Sequence, residues 1–245
     1  MRKLSITLFD TGYPSRFGYD PNRNADAISR LMRVGWQLEE LVLLDSDYLS
    51  SDYLSINAIQ SLVKSDMVSL TCLDLTGYML DGGSVAMLAE SKWAQLVRLC
   101  LNTSKVDANT AGFLVKVDWP LLKHLAVTGI SISGMSVLCK GSWPYLETLE
   151  LTESDVPFGV QGAAELVKGD WPCLTSLNLY DCALGAAGVN LIMEMSNWPL
   201  LASLDISHTD ELMGIPSYIS MLPALKGRWP LLQRFREYDD MDYVG

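Results

Sequence analysis

The sequence has little positive charge. Of its 245 residues only 18 are Lys or Arg, against 29 Asp or Glu, so the formal net charge is −11. Nucleic acids and anionic lipids are bound through clustered positive charge, and the composition therefore argues against both as partners. A protein partner of basic character is electrostatically favourable instead.

Long apolar runs and pairs of metal ligands are also missing. The apolar stretch of residues 4–9 is shorter than a secretory signal requires, and no uncharged run is long enough to span a membrane. The five cysteines include no Cys-x-x-Cys pair, and the chain has only two histidines, so neither a disulfide framework nor a zinc site is expected. These absences predict an intracellular, cytoplasmic protein with reduced thiols, no metal and no other cofactor.

The apolar residues, 49% of the chain, are arranged in a repeat. Tryptophan recurs at intervals of 26, 24, 28, 27 and 31 residues, and we call this recurring position the anchor and count other positions from it. The anchors are Trp36, Met67, Trp93, Trp119, Trp143, Trp171, Trp198 and Trp229. Apolar residues follow most anchors at +3, +6 and +8, and the alternation at +6 and +8 is that of a strand.

The second half of each unit has the period of a helix. Positions −8 and −5 before the next anchor are mostly small or branched apolar residues, a spacing that predicts one buried helix face, with Asn190 as the polar exception. A further apolar residue follows at +13, which is Val156 in one unit. Glycines such as Gly141 and Gly169 are expected in the left-handed conformation just past the helix, and the Pro after most anchors stops the helix.

A unit of one strand and one helix cannot bury its apolar face alone, so units must stack. We therefore predict a single α/β solenoid domain over residues 1–245, with about eight coils, a parallel sheet on its concave side and helices on its convex side. Residues 1–35 are assigned to an N-terminal capping unit, 36–228 to the repeats, and 229–245 to a C-terminal edge strand with an acidic tail. The additional residues of the two 31-residue intervals are assigned to loops at 46–55 and 209–218.

The Leu-x-x-Leu-x-Leu pattern, with helix starts such as the Leu-Gly-Ala-Ala-Gly of residues 184–188, resembles leucine-rich repeat proteins of the ribonuclease-inhibitor-like and GALA-like subtypes. The resemblance covers about residues 1–235 and implies a curved horseshoe. It says little about function, because one fold supports many functions. That family usually has Asn or Cys at +11, whereas here only Cys182 conforms, so a differently bonded turn is expected.

Side chains at +5, +7 and +9 are predicted to line the concave face. We expect a non-catalytic scaffold that binds a protein partner there, through Asp74, Arg98, Glu150, Tyr180 and Asp205. The only nucleophile–base candidate, Cys100 and His124, is about 7–8 Å apart on adjacent strands, which is too far for nucleophilic catalysis.

Three alternatives remain open at this stage. The chain could be an activator of a small GTPase, with Arg98 or Asn102 as the catalytic candidate. It could be the substrate-recognition part of a ubiquitin ligase assembly, which would need another chain to bind the adaptor. A solvated sheet face without a partner would also be rich in Ser and Thr. Neither the partner's identity nor the oligomeric state follows from the sequence.

Overall fold

The structure is a computed structural model that describes residues 3–8, 30, 37–45, 54–65, 67–103, 105–154, 156–207, 222–236 and 242–244. The expectations for Trp36, for most of the two assigned loops and for most of the chain's two ends lie outside these residues.

Ten strands form one sheet in chain order. They are β1 (Lys3–Leu8), β2 (Glu40–Asp45), β3 (Cys72–Leu80), β4 (Arg98–Thr103), β5 (His124–Thr128), β6 (Thr148–Thr152), β7 (Ser176–Asn178), β8 (Ser203–Asp205), β9 (Arg234–Arg236) and β10 (Asp242–Val244). Strands β1 to β9 are parallel, and β10 is antiparallel to β9. The strand predicted after Trp229 is therefore present as β9, but within the described residues the edge of the sheet is β10.

Helices alternate with the strands from β2 onwards. Those that the described residues include are α1 (Ile56–Lys64), α2 (Gly82–Leu88), α3 (Ala108–Lys116), α4 (Ile132–Leu138), α5 (Gly159–Leu166), α6 (Gly185–Met195) and α7 (Leu222–Arg228). The architecture is thus α/β, with one open, mainly parallel sheet alternating with helices, as in a solenoid-like repeat fold.

The anchor side chains are buried in the core, as predicted. All seven from Met67 to Trp229 are at most 3% exposed, and the leucines at +3, +6 and +8 are buried with them. The indole rings of Trp171 and Trp198 stack with their centroids 6.1 Å apart, so the coils contact each other through their anchors. Burial of these rings and leucines between neighbouring coils supplies the main stabilising free energy of the stack.

The predicted helix face is correct up to α5 and shifts by one residue in α6 and α7. In α6 the buried residues are Val189 and Ile192, so that Asn190 is exposed and its polarity is explained. In α7 Leu225 is buried in place of Ala224.

The apolar residue at +13 is not always buried, and the prediction for the glycines was wrong. Val156 is 43% exposed, because Phe158 enters the core instead. Gly141 and Gly169 do not have a positive φ. These glycines leave room for the ring of the following anchor, since a Cβ at Gly169 would lie 2.4 Å from the Trp171 ring.

Polar side chains fix the start of four helices. Ser55, Asp81, Asp107 and Ser131 each accept a hydrogen bond from the backbone N–H three residues later. Such caps satisfy N–H groups that have no partner inside the helix. They hold the helices in the same place in successive coils.

The turn after the strands is bonded between coils by more than one residue type. At +11, the Cys182 Sγ donates to the Leu151 carbonyl oxygen at 2.9 Å, and the Ser154 Oγ donates to the Ile130 carbonyl oxygen at 2.9 Å. A serine and a cysteine thus make the same kind of connection between coils at this position.

Candidate functional site on the helix-free face

The side chains at +5 and +7 lie on the sheet face opposite the helices, because the alternating residues at +6 and +8 are buried in the core. The strand register places equivalent positions side by side, and we call the following two rows the helix-free face. Row +5 consists of Glu40, Cys72, Arg98, His124, Thr148, Ser176, Ser203 and Arg234. Row +7 consists of Val42, Asp74, Cys100, Ala126, Glu150, Asn178, Asp205 and Arg236.

The predicted third row, at +9, is interrupted. Between Leu75 and Met79 the register of β3 shifts, so that Asn102 pairs with Met79 and not with Thr76. The row resumes where Thr128 pairs with Thr152. Only the first two rows therefore form a continuous surface.

Asp74 and Asp205, two of the five predicted binding residues, also have a local structural role. The Asp74 Oδ1 accepts hydrogen bonds from the backbone N and the Oγ1 of Thr76, at 3.1 and 2.7 Å. The Asp205 Oδ1 accepts from the backbone N of Ser207 at 3.0 Å. Such turns divert the N–H at +9 from the sheet ladder. Strand β8 ends at Asp205, whereas β3 continues with a shifted register after Leu75.

Tyr180 lies in the turn beyond β7. Its backbone N donates to the Asn178 Oδ1 at 2.9 Å, which is the same turn that Asp74 and Asp205 make. Its side chain is half-buried. Tyr180 therefore lies at the margin of the helix-free face, outside rows +5 and +7.

Arg98 and Glu150 lie at the two nitrogen atoms of the His124 ring. The Arg98 Nη1 lies 3.2 Å from the His124 Nδ1, and the Glu150 Oε1 lies 3.3 Å from the His124 Nε2. Because a guanidinium can only donate, Nδ1 must accept, and the neutral ring then has its proton on Nε2, facing the carboxylate. We call Arg98, His124 and Glu150 the central triplet.

His124 was absent from the predicted binding residues. Its place could have been found, because His124 is beside Arg98 in row +5 and diagonal to Glu150, both within reach of long side chains. The sequence gives the rows, but the contact itself depends on the side-chain conformations.

Two members of the central triplet have pKa values that are shifted by their surroundings. Burial, together with the Arg98 charge, lowers the pKa of His124 to about 4, although the Asp74 carboxylate opposes this shift. Burial also raises the pKa of Glu150 above its ordinary 4.5, against the influence of Arg98. Both shifts disfavour the charged form of the side chain.

We expect histidine NMR titration to give a pKa of about 4 for His124. In Arg98→Gln, which retains a donor but loses the charge, this pKa should rise, whereas in Asp74→Asn it should fall further. His208→Gln assigns the signals, since the chain has two histidines. A pKa for His124 at or above 6.5 in the folded protein would contradict the geometry of the triplet.

The lowered pKa of His124 also makes the stability of the folded protein depend on pH. The unfolded chain binds a proton at this histidine near pH 6.5, whereas the folded chain does not until about pH 4. The contribution of His124 to stability is thus complete above pH 6.5 and is lost as the pH falls towards 4.

The thiol beside the triplet is a poor nucleophile. Cys100 is buried, and this burial, with the Asp74 and Glu150 carboxylates, raises its pKa to about 12. At neutral pH it is therefore a protonated thiol, whereas nucleophilic cysteines react as thiolates.

Arg98 is unlike an arginine presented on a loop to a GTPase. It begins strand β4, and its guanidinium contacts His124. The other candidate, Asn102, has its backbone in the same strand.

The C-terminal part of the helix-free face is a shallow depression. It has a volume of about 190 Å³, and Arg236 at its edge lies 3.4 Å from the Asp205 Oδ2. Sites that enclose a small molecule usually have about 300–1,000 Å³. The depression is more suited to receiving single side chains than to enclosing a cofactor.

The chain matches no model of a known protein family and no curated protein. Among the described residues, none of the helices has the length and apolarity to cross a membrane. In that same part of the chain, no group of three or more His, Cys, Asp or Glu side chains is arranged to hold a metal ion.

Proposed function

We propose that this chain is a leucine-rich repeat solenoid of the ribonuclease-inhibitor-like and GALA-like type, and that its helix-free face binds a protein partner without catalysing a reaction. The repeat of anchor, strand, capped helix and anchor supports the first part. The central triplet supports the second.

The placement of the triplet is the observation on which the binding proposal rests. A solvated sheet face needs only side chains that are compatible with water. Here the His124 side chain is 14% exposed and keeps a neutral ring between two charged groups, while Glu150 is partly desolvated. Desolvated titratable groups on an uncovered face are typical of functional sites, because they do nothing for the core.

The charges of the face suggest what the partner presents. The carboxylates of Asp74, Glu150 and Asp205 lie in row +7, which ends on Arg236. The guanidinium groups of Arg98 and Arg234 lie in the neighbouring row +5. The net charge of −11 steers a basic partner towards the chain. We propose that basic side chains of the partner contact Glu150 and Asp74, and that its fewer acidic side chains contact the arginines.

A photo-crosslinking residue tests the location directly. Placed at Thr148, which lies in row +5 between His124 and Ser176, it should capture a partner that mass spectrometry identifies. Placed at the exposed Val160 on α5, it should not capture that partner. Equal capture from both positions would contradict the proposed face.

Once the partner is identified, a charge variant tests the chemistry. Glu150→Lys, combined with Asp74→Asn and Asp205→Asn, should weaken binding about tenfold or more and make it less dependent on salt. Asparagine is chosen because Asn178 makes the same turn, so the fold is retained.

The matched control makes the same change in net charge elsewhere. Glu90→Lys with Glu194→Lys gives the same total change in charge at two exposed residues outside both rows. It should leave the affinity within about twofold. If both variants weaken binding equally, only the overall charge matters, and the face is not the site.

A further inference from the structure

A row of exposed apolar side chains lies along another part of the molecule, the edge where the chain enters the strands. In five successive coils the anchor is followed by Pro at +1 and an apolar residue at +2. Leu121, Tyr145, Leu200 and Leu231 at +2 are 39, 54, 41 and 50% exposed, and Cys173 is half-exposed. We call these five residues and their five prolines the entry ridge.

The backbone aligns the entry ridge. In each of the five coils the +3 backbone N donates to the anchor carbonyl oxygen, at distances from 3.0 to 3.2 Å, so the turns are the same. Just after the turn, the +4 backbone N of one coil donates to the +4 carbonyl oxygen of the coil before it, as Glu147 does to Lys123 at 2.8 Å. The side chains at +2 therefore follow one another at about the 4.8 Å spacing of strands.

The fold does not require apolar residues at +2. The two preceding coils make the same turn, at 3.1 and 3.0 Å, with the exposed residues Ser69 and Gln95 at this position. The prolines have a local reason, since Pro suits the second position of a β-turn. The leucines and the tyrosine have none, and a continuous exposed apolar patch is typical of an interaction surface.

We infer that the entry ridge joins two copies of this chain in a symmetric dimer. The five ridge coils, with the flanking residues at −1 and +4, present about twenty residues, which is the number that one partner contributes to a standard interface of about 800 Å² per side. Dimers of identical chains are the commonest oligomers and pair a surface with itself.

The flanking charges fit this pairing. Asp118 lies at −1, before the turn, and Lys123 at +4, after it, where its Nζ also lies 2.6 Å from the Glu147 Oε1 of the next coil. A two-fold axis along the ridge places each of them opposite the other in the second copy. In the other four coils, the residues directly opposite each other are then not of like charge.

Cys173 provides a specific readout, because it belongs to the middle one of the five coils. Any two-fold arrangement that overlaps all five coils brings Cys173 of one copy beside Cys173 of the other. Of the remaining cysteines, Cys100, Cys139 and Cys182 are buried, and Cys72 lies on the helix-free face. A short bis-maleimide should therefore link the copies, and Cys173→Ser should abolish the link.

Sedimentation velocity of the full chain across the micromolar range tests the dimer itself. The wild type should shift from monomer to dimer as the concentration rises. Tyr145→Gln with Leu200→Gln introduces the residue that the chain itself uses at Gln95, and should raise the dissociation constant at least tenfold with unchanged circular dichroism. The control, Ile56→Gln with Val160→Gln, changes residues that are each 48% exposed outside the ridge and should have no effect.

Three results would overturn the inference. They are a wild type that remains monomeric throughout, a dimer that tolerates the ridge variant, and a crosslink that persists in Cys173→Ser. Partner capture through Thr148 is independent of these results, so the two surfaces are tested separately.

Discussion

Replacement of Trp171 by Ala is expected to lower the free energy of unfolding by about 3–5 kcal/mol. The ring is fully buried, stacks on Trp198 in the next coil, and fills the space above Gly169. Its removal leaves a cavity between two coils that backbone hydrogen bonds hold at fixed spacing, so the site cannot collapse. Urea unfolding followed by circular dichroism measures the loss.

Met195→Ala is the control for this experiment. Its side chain is 61% exposed at the end of α6, and the change should alter stability by less than about 0.5 kcal/mol. A loss below about 1 kcal/mol for Trp171→Ala would mean that the anchors do not hold the coils together.

The second large effect is expected at Gly134, in the first turn of α4. A Cβ there would lie 2.1 Å from the Val106 carbonyl oxygen, which already accepts two hydrogen bonds from Ser131, each at 3.0 Å. The carbonyl cannot move without breaking the connection between the coils. Gly134→Ala should therefore cost about 3 kcal/mol or more.

Gly112→Ala is the matched substitution in the neighbouring helix α3. Nothing lies within 4 Å of a Cβ at this position. The change should stabilise the protein by up to about 1 kcal/mol, because Ala favours the helix more than Gly does. Equal melting temperatures for the two alanine variants would contradict the close approach of α4 to Val106.

The strand rows could be predicted because their cause is local. The alternation at +6 and +8 decides which side chains enter the core, and the parallel register then follows from the constant spacing between the anchor and its strand. The same reasoning failed for α6, where Val189 and Ile192 are also three residues apart and bury more apolar surface than Asn190 and Met193. A one-residue shift keeps the helical period, so the period alone could not decide which of these two pairs is buried.

The site was predicted less completely than the fold. Asp74 and Asp205 precede Thr76 and Ser207 by two residues, a pattern that could have indicated their turns. The half-buried state of His124 could not be foreseen, because it depends on the side-chain conformations that bring Arg98 and Glu150 to the two ring nitrogens. The entry ridge was visible as a recurring residue after each Pro, but only the exposed fractions show that the fold leaves it uncovered.

The central claim is that equivalent residues of successive coils are neighbours in one parallel sheet. Methyl NOE spectroscopy tests it through Leu99, Leu125, Leu149, Leu177 and Leu204, which occupy one row at +6. We predict strong cross-peaks between each leucine and the next, about 5 Å away, and none between alternate leucines, about 10 Å apart. Absence of the sequential cross-peaks, or cross-peaks that link each leucine to a different position of the next coil, would contradict the stack and with it both proposed surfaces.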